Sequence, residues 1–503
     1  MTKYFVALFF ICILAYFLRI MFLPQGALTF GYDQARDATI ALQIANGDLK
    51  IIGPPASTPG LYHGVLYYYI LVPAYALGAG NPIIAALWMA LINTVSIFLV
   101  FYLTYLFTKK PIAALLGALI IAISFEATQY AVWLSNPTIG IWTVPLIYLG
   151  LWVWLREKRS WGAIVCAVGL GFSIQAEIFL AYHIIPVLLW IYLFRKHISK
   201  SQLRLLVITF VLSISSMLLS EFKFGFKSLG GIASLLNTGE QVGFGTSVGD
   251  YFVLYLNQLG RVFAYSVYPP NVWIGGTFVF GGLFYQIAKR EKKQISWQLF
   301  LATWIFSHIT IVALGGSSTP FLLVGMAPAV AILIGITIFD LYRNQHKLIA
   351  VIVISIILFG NIKMILRENP KGQTIFAIQK DMLLSKQIKA IDYTYDSAKA
   401  PQFSINSLTS PLWINIVWTY LYKWHGQGKY GFLPVWSGRD QVGIVDSLPQ
   451  GQILENHYLI LEPMAGIPQQ YLPLTLGEED ARSSVIEEKN FGEIVIQKRE
   501  KLN

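Results

Sequence analysis

Two carboxylates, Asp33 and Asp37, follow the first apolar run almost at once, in the stretch "GYDQARDATIALQIANGDLKIIGPPASTPGLYHGVLYYYILVP" at 31–73. They lie one helical turn apart. Ala35, Ala38, Ala41, Leu42 and Ala45 share one broad face that stops at Gly47, so the stretch is expected to form a short helix. Asp33 then has two compatible readings. It is the N-cap of that helix, or it is a carboxylate that takes a proton from an attacking hydroxyl or amine. A carboxylate at this place also suits a divalent metal. Asp37, with Arg36 beside it, is expected to make a surface pairing with a nearby cation.

Other polar residues sit near the ends of apolar runs. Arg19 lies in the last turns of the first run, and Glu126 and Gln129 close the run at 111–131. Gln175 and Glu177 mark a turn between two runs, and His183 follows two turns later. Ionisable groups at membrane depth are costly and tend to line cavities. Each alone has an ordinary structural role, yet all fall on the side expected for Asp33, so a shared substrate-binding cavity is expected. Arg261 is the candidate contact for a donor phosphate, or else an ordinary interfacial arginine. The aromatic segment "WINIVWTYLYKWHGQGKYGFLPVW" at 413–436 is suited to stack on sugar rings, to fill a small core or to rest on a membrane.

The elements that must position these residues follow from composition. The 503-residue chain is 55% hydrophobic and only 13% charged, where soluble domains carry about 25% charged residues. Repeated apolar runs of about 20 residues indicate an α-helical polytopic membrane protein. The net charge of +11 does not point to nucleic acid, because the basic residues form short clusters between apolar runs. Cys12 and Cys166 offer no disulfide framework or zinc spacing. No P-loop, dinucleotide fingerprint or G-x-S-x-G is present, which argues against primary active transport by this chain alone.

Apolar segments lie near 4–23, 62–79, 83–108, 111–131, 137–155, 161–175, 177–194, 205–220, 264–288, 296–314, 320–341 and 348–366. The first is read as an uncleaved span with a cytoplasmic N-terminus. Five basic clusters, beginning with Lys109/Lys110 and ending with Arg343/Lys347, all face the cytoplasm only if 62–79 does not cross. Tyrosines at 62, 67, 68, 69 and 75 suit an interfacial helix there. About 11 spans remain. The membrane domain is 1–366, with a first outer loop at 24–82 and a Gly/Ser-rich outer loop at 221–263 that is expected to be a mobile lid. Residues 367–503 are expected to form a small extracytoplasmic α/β domain. In it "QTIFAIQKDMLLSKQIKAID" reads as an amphipathic helix, and "HYLILEP" and "GEIVIQKRE" read as strands.

An uncleaved first span, an acidic residue opening a short helix that ends in "GD", and then "PP…LYYYILVP" together resemble the class C integral-membrane glycosyltransferases. The branch is the one that contains the protein O-mannosyltransferases and the aminoarabinose transferase of lipid A modification. The stretch "YAVWLSNPTIGIWTVPLIYLGLWVWLREKRSWGAIVCAVGLGFSIQAEIFLAYHIIPVL" fits the same group, and residues 1–200 carry most of the resemblance. It implies an inverting transfer of a sugar from a polyprenyl-phosphate donor to a lipid, glycan or protein acceptor, on the outer face of the plasma (inner) membrane. The family's first-loop motif is commonly Asp-Glu; here Asp33 is followed by Gln34, which leaves Asp33 as the base candidate. The family's acid after the polar turn is replaced by Asn136. The competing class is a lipid-linked oligosaccharide flippase or other secondary transporter, which would place polar residues at mid-membrane in repeated halves; no repeat is visible. A polysaccharide polymerase would share substrate and topology but not the first-loop motif.

Overall fold

The computed structural model describes residues 2–56, 60–228, 230–231, 248–289, 296–310, 320–399, 402–439 and 445–502. Among the described residues, six helices are long and apolar enough to cross a membrane: Thr2–Gln25, Pro82–Thr108, Asn136–Leu155, Ile178–His197, Met326–Arg343 and Lys347–Lys371. Two bent pairs raise the number to eight, Pro111–Ile123 with Phe125–Val132 (56°) and Lys200–Ser213 with Ser215–Phe224 (58°). The other expected spans are short or broken. Trp161–Ala176 is a shorter apolar helix. The run at 264–288 is divided between helices Val248–Val267 and Val272–Ala288. The run at 296–314 forms Trp297–Ile305 and a 3-10 turn at Ser307–Thr310.

The tyrosine-rich segment folds as a helix of 12 residues, Leu66–Leu77. At 1.5 Å per residue it is about 18 Å long, well short of a hydrocarbon core of about 30 Å. Four of the five basic clusters meet at one end of the bundle. Lys109 Nζ lies 2.9 Å from Glu157 Oε1, and Lys110, Lys289 and Arg343 line one cavity.

The outer loop expected at 221–263 contains described helix at both ends, and Arg261 belongs to helix Val248–Val267 rather than to a loop. The expected mobile lid falls on 229 and 232–247, outside the described residues.

The tail forms a five-stranded sheet of β1 (Ser404–Leu408), β2 (Val435–Trp436), β3 (Asn456–Leu461), β4 (Ser483–Phe491) and β5 (Ile494–Lys501), in the order β2-β1-β3-β5-β4. β1 pairs in parallel with β2 and β3, while β5 runs antiparallel to β3 and β4. The amphipathic helix begins later than its pattern suggests, at Leu384, and ends at Ala398. The preceding backbone is held by the first loop instead: Phe30 N donates to Met382 O (2.9 Å) and Leu384 N donates to Leu28 O (2.9 Å). Those bonds replace the helical ones that 382–384 would otherwise make.

First loop and tail share one hydrophobic core. Phe30, Ala35, Ala38, Tyr67 and Tyr75 pack with Trp418, Tyr420 and Tyr422. The ring of Tyr420 lies 5.5 Å from that of Phe30, and its hydroxyl donates to Gly80 O. Trp418, Tyr420, Tyr422 and Trp436 of the aromatic segment are therefore core residues, each large side chain contributing on the order of 1.5–3 kcal/mol by burial.

Candidate functional site

The first-loop helix runs from Tyr32 to Ala45 with Gly31 as its N-cap. Asp33 is thus in the first turn and is not the cap. Gln34 closes the helix start: its Oε1 accepts from Gly31 N (2.9 Å), and its Nε2 donates to Leu134 O (3.0 Å). An amide can do both at once, whereas a glutamate there could only accept. Gln34 is therefore a bracket between the first loop and the polar turn at 133–136.

Arg36 lies between the two acids. Its Nη1 is 2.8 Å from Asp33 Oδ1, and its Nη2 is 2.7 Å from Asp37 Oδ1. Nε also donates to Asp37 Oδ1 (2.8 Å). The Asp37 pairing is as expected, but it is not at the surface: the Asp37 side chain is 1% exposed and Arg36 5%, against 53% for Asp33. Burial pushes the Asp37 carboxyl up to about 7 against the pull of Arg36. Asp37 Oδ2 has no hydrogen-bond partner. Of the two acids, only Asp33 presents a carboxylate to the surface.

The loop that follows the helix folds back tightly. A Cβ on Gly53 would come within 2.2 Å of Gly64 O, and one on Gly64 within 2.5 Å of the Gln175 side chain. Gln175 fastens this loop to the bundle. Its main-chain oxygen accepts from Gly64 N (2.9 Å), and its Oε1 accepts from Leu66 N (3.1 Å) and Ser216 Oγ (3.3 Å). Glu177 starts the 3-10 turn Ile178–His183, where its Oε1 accepts from Phe179 N (3.4 Å). It also lies 3.8 Å from His63 Nδ1. That nitrogen accepts from Ile178 N (3.2 Å). Burial, with the Arg36 charge, pushes the His63 imidazole down to about 3 and keeps it neutral. Asp33, Arg36, Asp37, His63 and Glu177 thus form one group.

A second group lies deeper. Glu126 is in the first turn of Phe125–Val132, the short arm of the 56° bend. It is buried, Ser266 Oγ donates to its Oε2 (3.0 Å), and Arg261 is within electrostatic reach. The Arg261 charge is also within reach of His308, and His308 lies near His183. His183 Nδ1 is 2.9 Å from the Tyr148 hydroxyl. His183 Nε2 and both ring nitrogens of His308 are buried without a partner, a mark of polar space between side chains. Glu177 and His183 bracket one 3-10 segment of 6 residues, which puts the two groups about 12 Å apart along it. Arg19 belongs to neither group. It donates to Ala15 O (2.8 Å) in its own helix and to Ala122 O (3.2 Å) beside the bend.

Sequence reasoning missed His63, Ser266 and His308. His308 and Ser266 carry the signal that singled out His183, a polar residue within an apolar run, but each lies in a run whose helix breaks differently from the pattern. Among the described residues, no group of three or more His, Cys, Asp or Glu is placed to hold a metal ion.

No protein-family model and no curated protein sequence matches the chain. Among the solved structures that match, two cover nearly its whole length. One is ArnT from Cupriavidus metallidurans bound to undecaprenyl phosphate, with a TM-score of 0.57 and 12% identity, covering 99% of this chain and 98% of that one. The other is the same protein in the apo state, with a TM-score of 0.58 and 13% identity over the same shares of both chains. The chain shares the fold of these two structures, that of a multi-pass membrane protein with a small C-terminal sheet.

Proposed function

We propose that this protein transfers a sugar from a polyprenyl-phosphate carrier to an acceptor at the outer face of the membrane, with Asp33 as the general base. The observation that carries the reading is the end-to-end likeness to a protein solved with undecaprenyl phosphate, joined to an accessible carboxylate in the first outer loop. The acceptor hydroxyl or amine loses its proton to Asp33 and attacks the anomeric carbon. The bond from that carbon to the phosphate oxygen breaks, and the carrier leaves as the polyprenyl phosphate, with inversion. The phosphate is already a fair leaving group, so the protein has to position the partners and activate the acceptor.

Arg36 holds the Asp33 carboxylate in place through their ion pair, and Asp37 holds Arg36. In the deeper group Arg261 receives the donor phosphate, since a guanidinium suits that geometry. Glu126 orients Arg261, and His183 and His308 line the donor side. In this reading the N-terminus and the basic end are cytoplasmic, about 11 segments cross, and residues 367–503 cover the first loop outside.

The reading is tested with the purified full chain in nanodiscs, supplied with polyprenyl-phosphate sugars and a panel of lipid, glycan and peptide acceptors. Acceptor-dependent release of polyprenyl phosphate is the expected result. Movement of intact donor across the bilayer without sugar release would overturn the reading in favour of a transporter.

A further inference from the structure

A polar cavity lies at the end of the bundle opposite to Glu126. Helix Pro111–Ile123 has Lys110 as its N-cap and runs toward Glu126, so the two ends are separated by its 13 residues, about 20 Å. The cavity measures about 650 Å³ and takes Lys110, Lys289 and Arg343 from three different elements, with Gln298 and Asp340 between them. Among the described residues, neither Lys110 nor Arg343 has a carboxylate within ion-pair distance, and the Lys289 ammonium meets only the Tyr285 hydroxyl and ring. Asp340 accepts from Gln286 Nε2 (3.2 Å) and pairs with none of the three cations. Gln298 is 8% exposed, and its Oε1 has no partner. Phe107 and Trp297 stack 5.9 Å apart on one wall.

Three uncompensated cations converging on one concavity exceed what a solvated basic rim needs. They call for an anion, and an unpartnered buried acceptor beside them calls for a donor. The stacked rings supply an apolar side suited to a glycerol backbone or acyl chain. We propose that this cavity binds a phosphate diester or monoester that also carries a hydroxyl group. The phosphate meets Lys110, Lys289 and Arg343, and the hydroxyl donates to Gln298 Oε1. A headgroup such as phosphatidylglycerol in the leaflet on the basic side and a soluble glycerol phosphate share that chemistry. This site is separate from the sugar-transfer reading and does not depend on it.

Binding of short-chain phosphatidylglycerol, phosphatidic acid and phosphatidylcholine, and of glycerol phosphate, is measured on the purified full chain in a neutral detergent. Phosphatidylglycerol binds the wild type. Lys110→Gln with Arg343→Gln, both exposed positions, weakens it about thirty-fold for two lost charges at a lipid surface. Gln298→Leu weakens phosphatidylglycerol while leaving phosphatidic acid unchanged. Glycerol phosphate binding as tightly as the lipid supports the site with a soluble ligand, and weaker binding supports the lipid. Equal phosphatidylglycerol affinity in the wild type and the double variant, or phosphatidylcholine binding as tightly as phosphatidylglycerol, overturns the proposal.

Discussion

Arg36→Met separates the clamp from its two acids. Asp37 would be left 1% exposed, with no counter-charge and with Oδ2 already unpartnered. Breaking a buried pair on one side costs about 3–5 kcal/mol, whereas replacing both partners by apolar residues is often neutral. Asp33 is half exposed, so its share of the pairing is worth at most about 1 kcal/mol. Arg36→Met should therefore destabilise far more than Asp33→Ala, and Arg36→Met/Asp37→Leu should recover most of the loss. Unfolding can be followed with a maleimide dye that becomes fluorescent on reaching Cys166, which is buried in the native fold. Unfolding of a protein of this kind is read as a rate at fixed temperature rather than as an equilibrium. If Arg36→Met is no worse than Asp33→Ala, or the double variant recovers nothing, the buried clamp is wrong.

Glu126→Gln keeps a group that can accept from Ser266 but removes the charge facing Arg261; transfer should fall with little change in unfolding rate, and Ser266→Ala should be milder in the same assay. The Asp37 carboxyl is raised by burial to about 7. The folded state therefore binds the proton more tightly than the unfolded chain, and stability is fullest on the acid side and falls as pH rises from the ordinary carboxylate range toward 7. Dye-detected unfolding between pH 5 and 8 should show that slope, and Asp37→Asn should flatten it. Gly53→Ala pushes a Cβ against the main chain at Gly64; a loss of about 1–3 kcal/mol is expected, and wild-type unfolding kinetics would show that the loop is not packed as described. A lone cysteine at position 109 should resist impermeant maleimide added outside intact cells, since labelling there contradicts the orientation.

The membrane class, a helix in the tyrosine-rich segment and the sheet of the tail were legible because they rest on strong signals: long apolar runs and alternating apolar strands. The Asp37 pairing was legible from adjacency to Arg36, but its burial was not, because Tyr67 and Tyr68, which lie beside it, come from a separate helix further along the chain. Asp33 carried the composition of an N-cap, yet Gln34 performs that closure from three residues beyond Gly31. The helix at Leu384 starts late because its preceding backbone pairs with Leu28 and Phe30, a contact across more than 350 residues that no local periodicity reports. β1 and β4 lack the apolar alternation that marked β3 and β5: "SINSL" is polar yet fully buried, and "SSVIEEKNF" is a largely exposed strand at the sheet edge.

The central claim is that Asp33 accepts the proton of the attacking group. It is tested by comparing sugar transfer by the wild type and Asp33→Asn in the same nanodiscs, with polyprenyl-phosphate binding and unfolding rate measured in parallel. Asparagine keeps the size of the side chain and still accepts a hydrogen bond from Arg36, but it cannot take a proton at neutral pH. The account predicts normal lipid-phosphate binding, an unfolding rate close to wild type, and a fall in transfer of about 10²–10⁴-fold. Near-normal transfer by Asp33→Asn would contradict it.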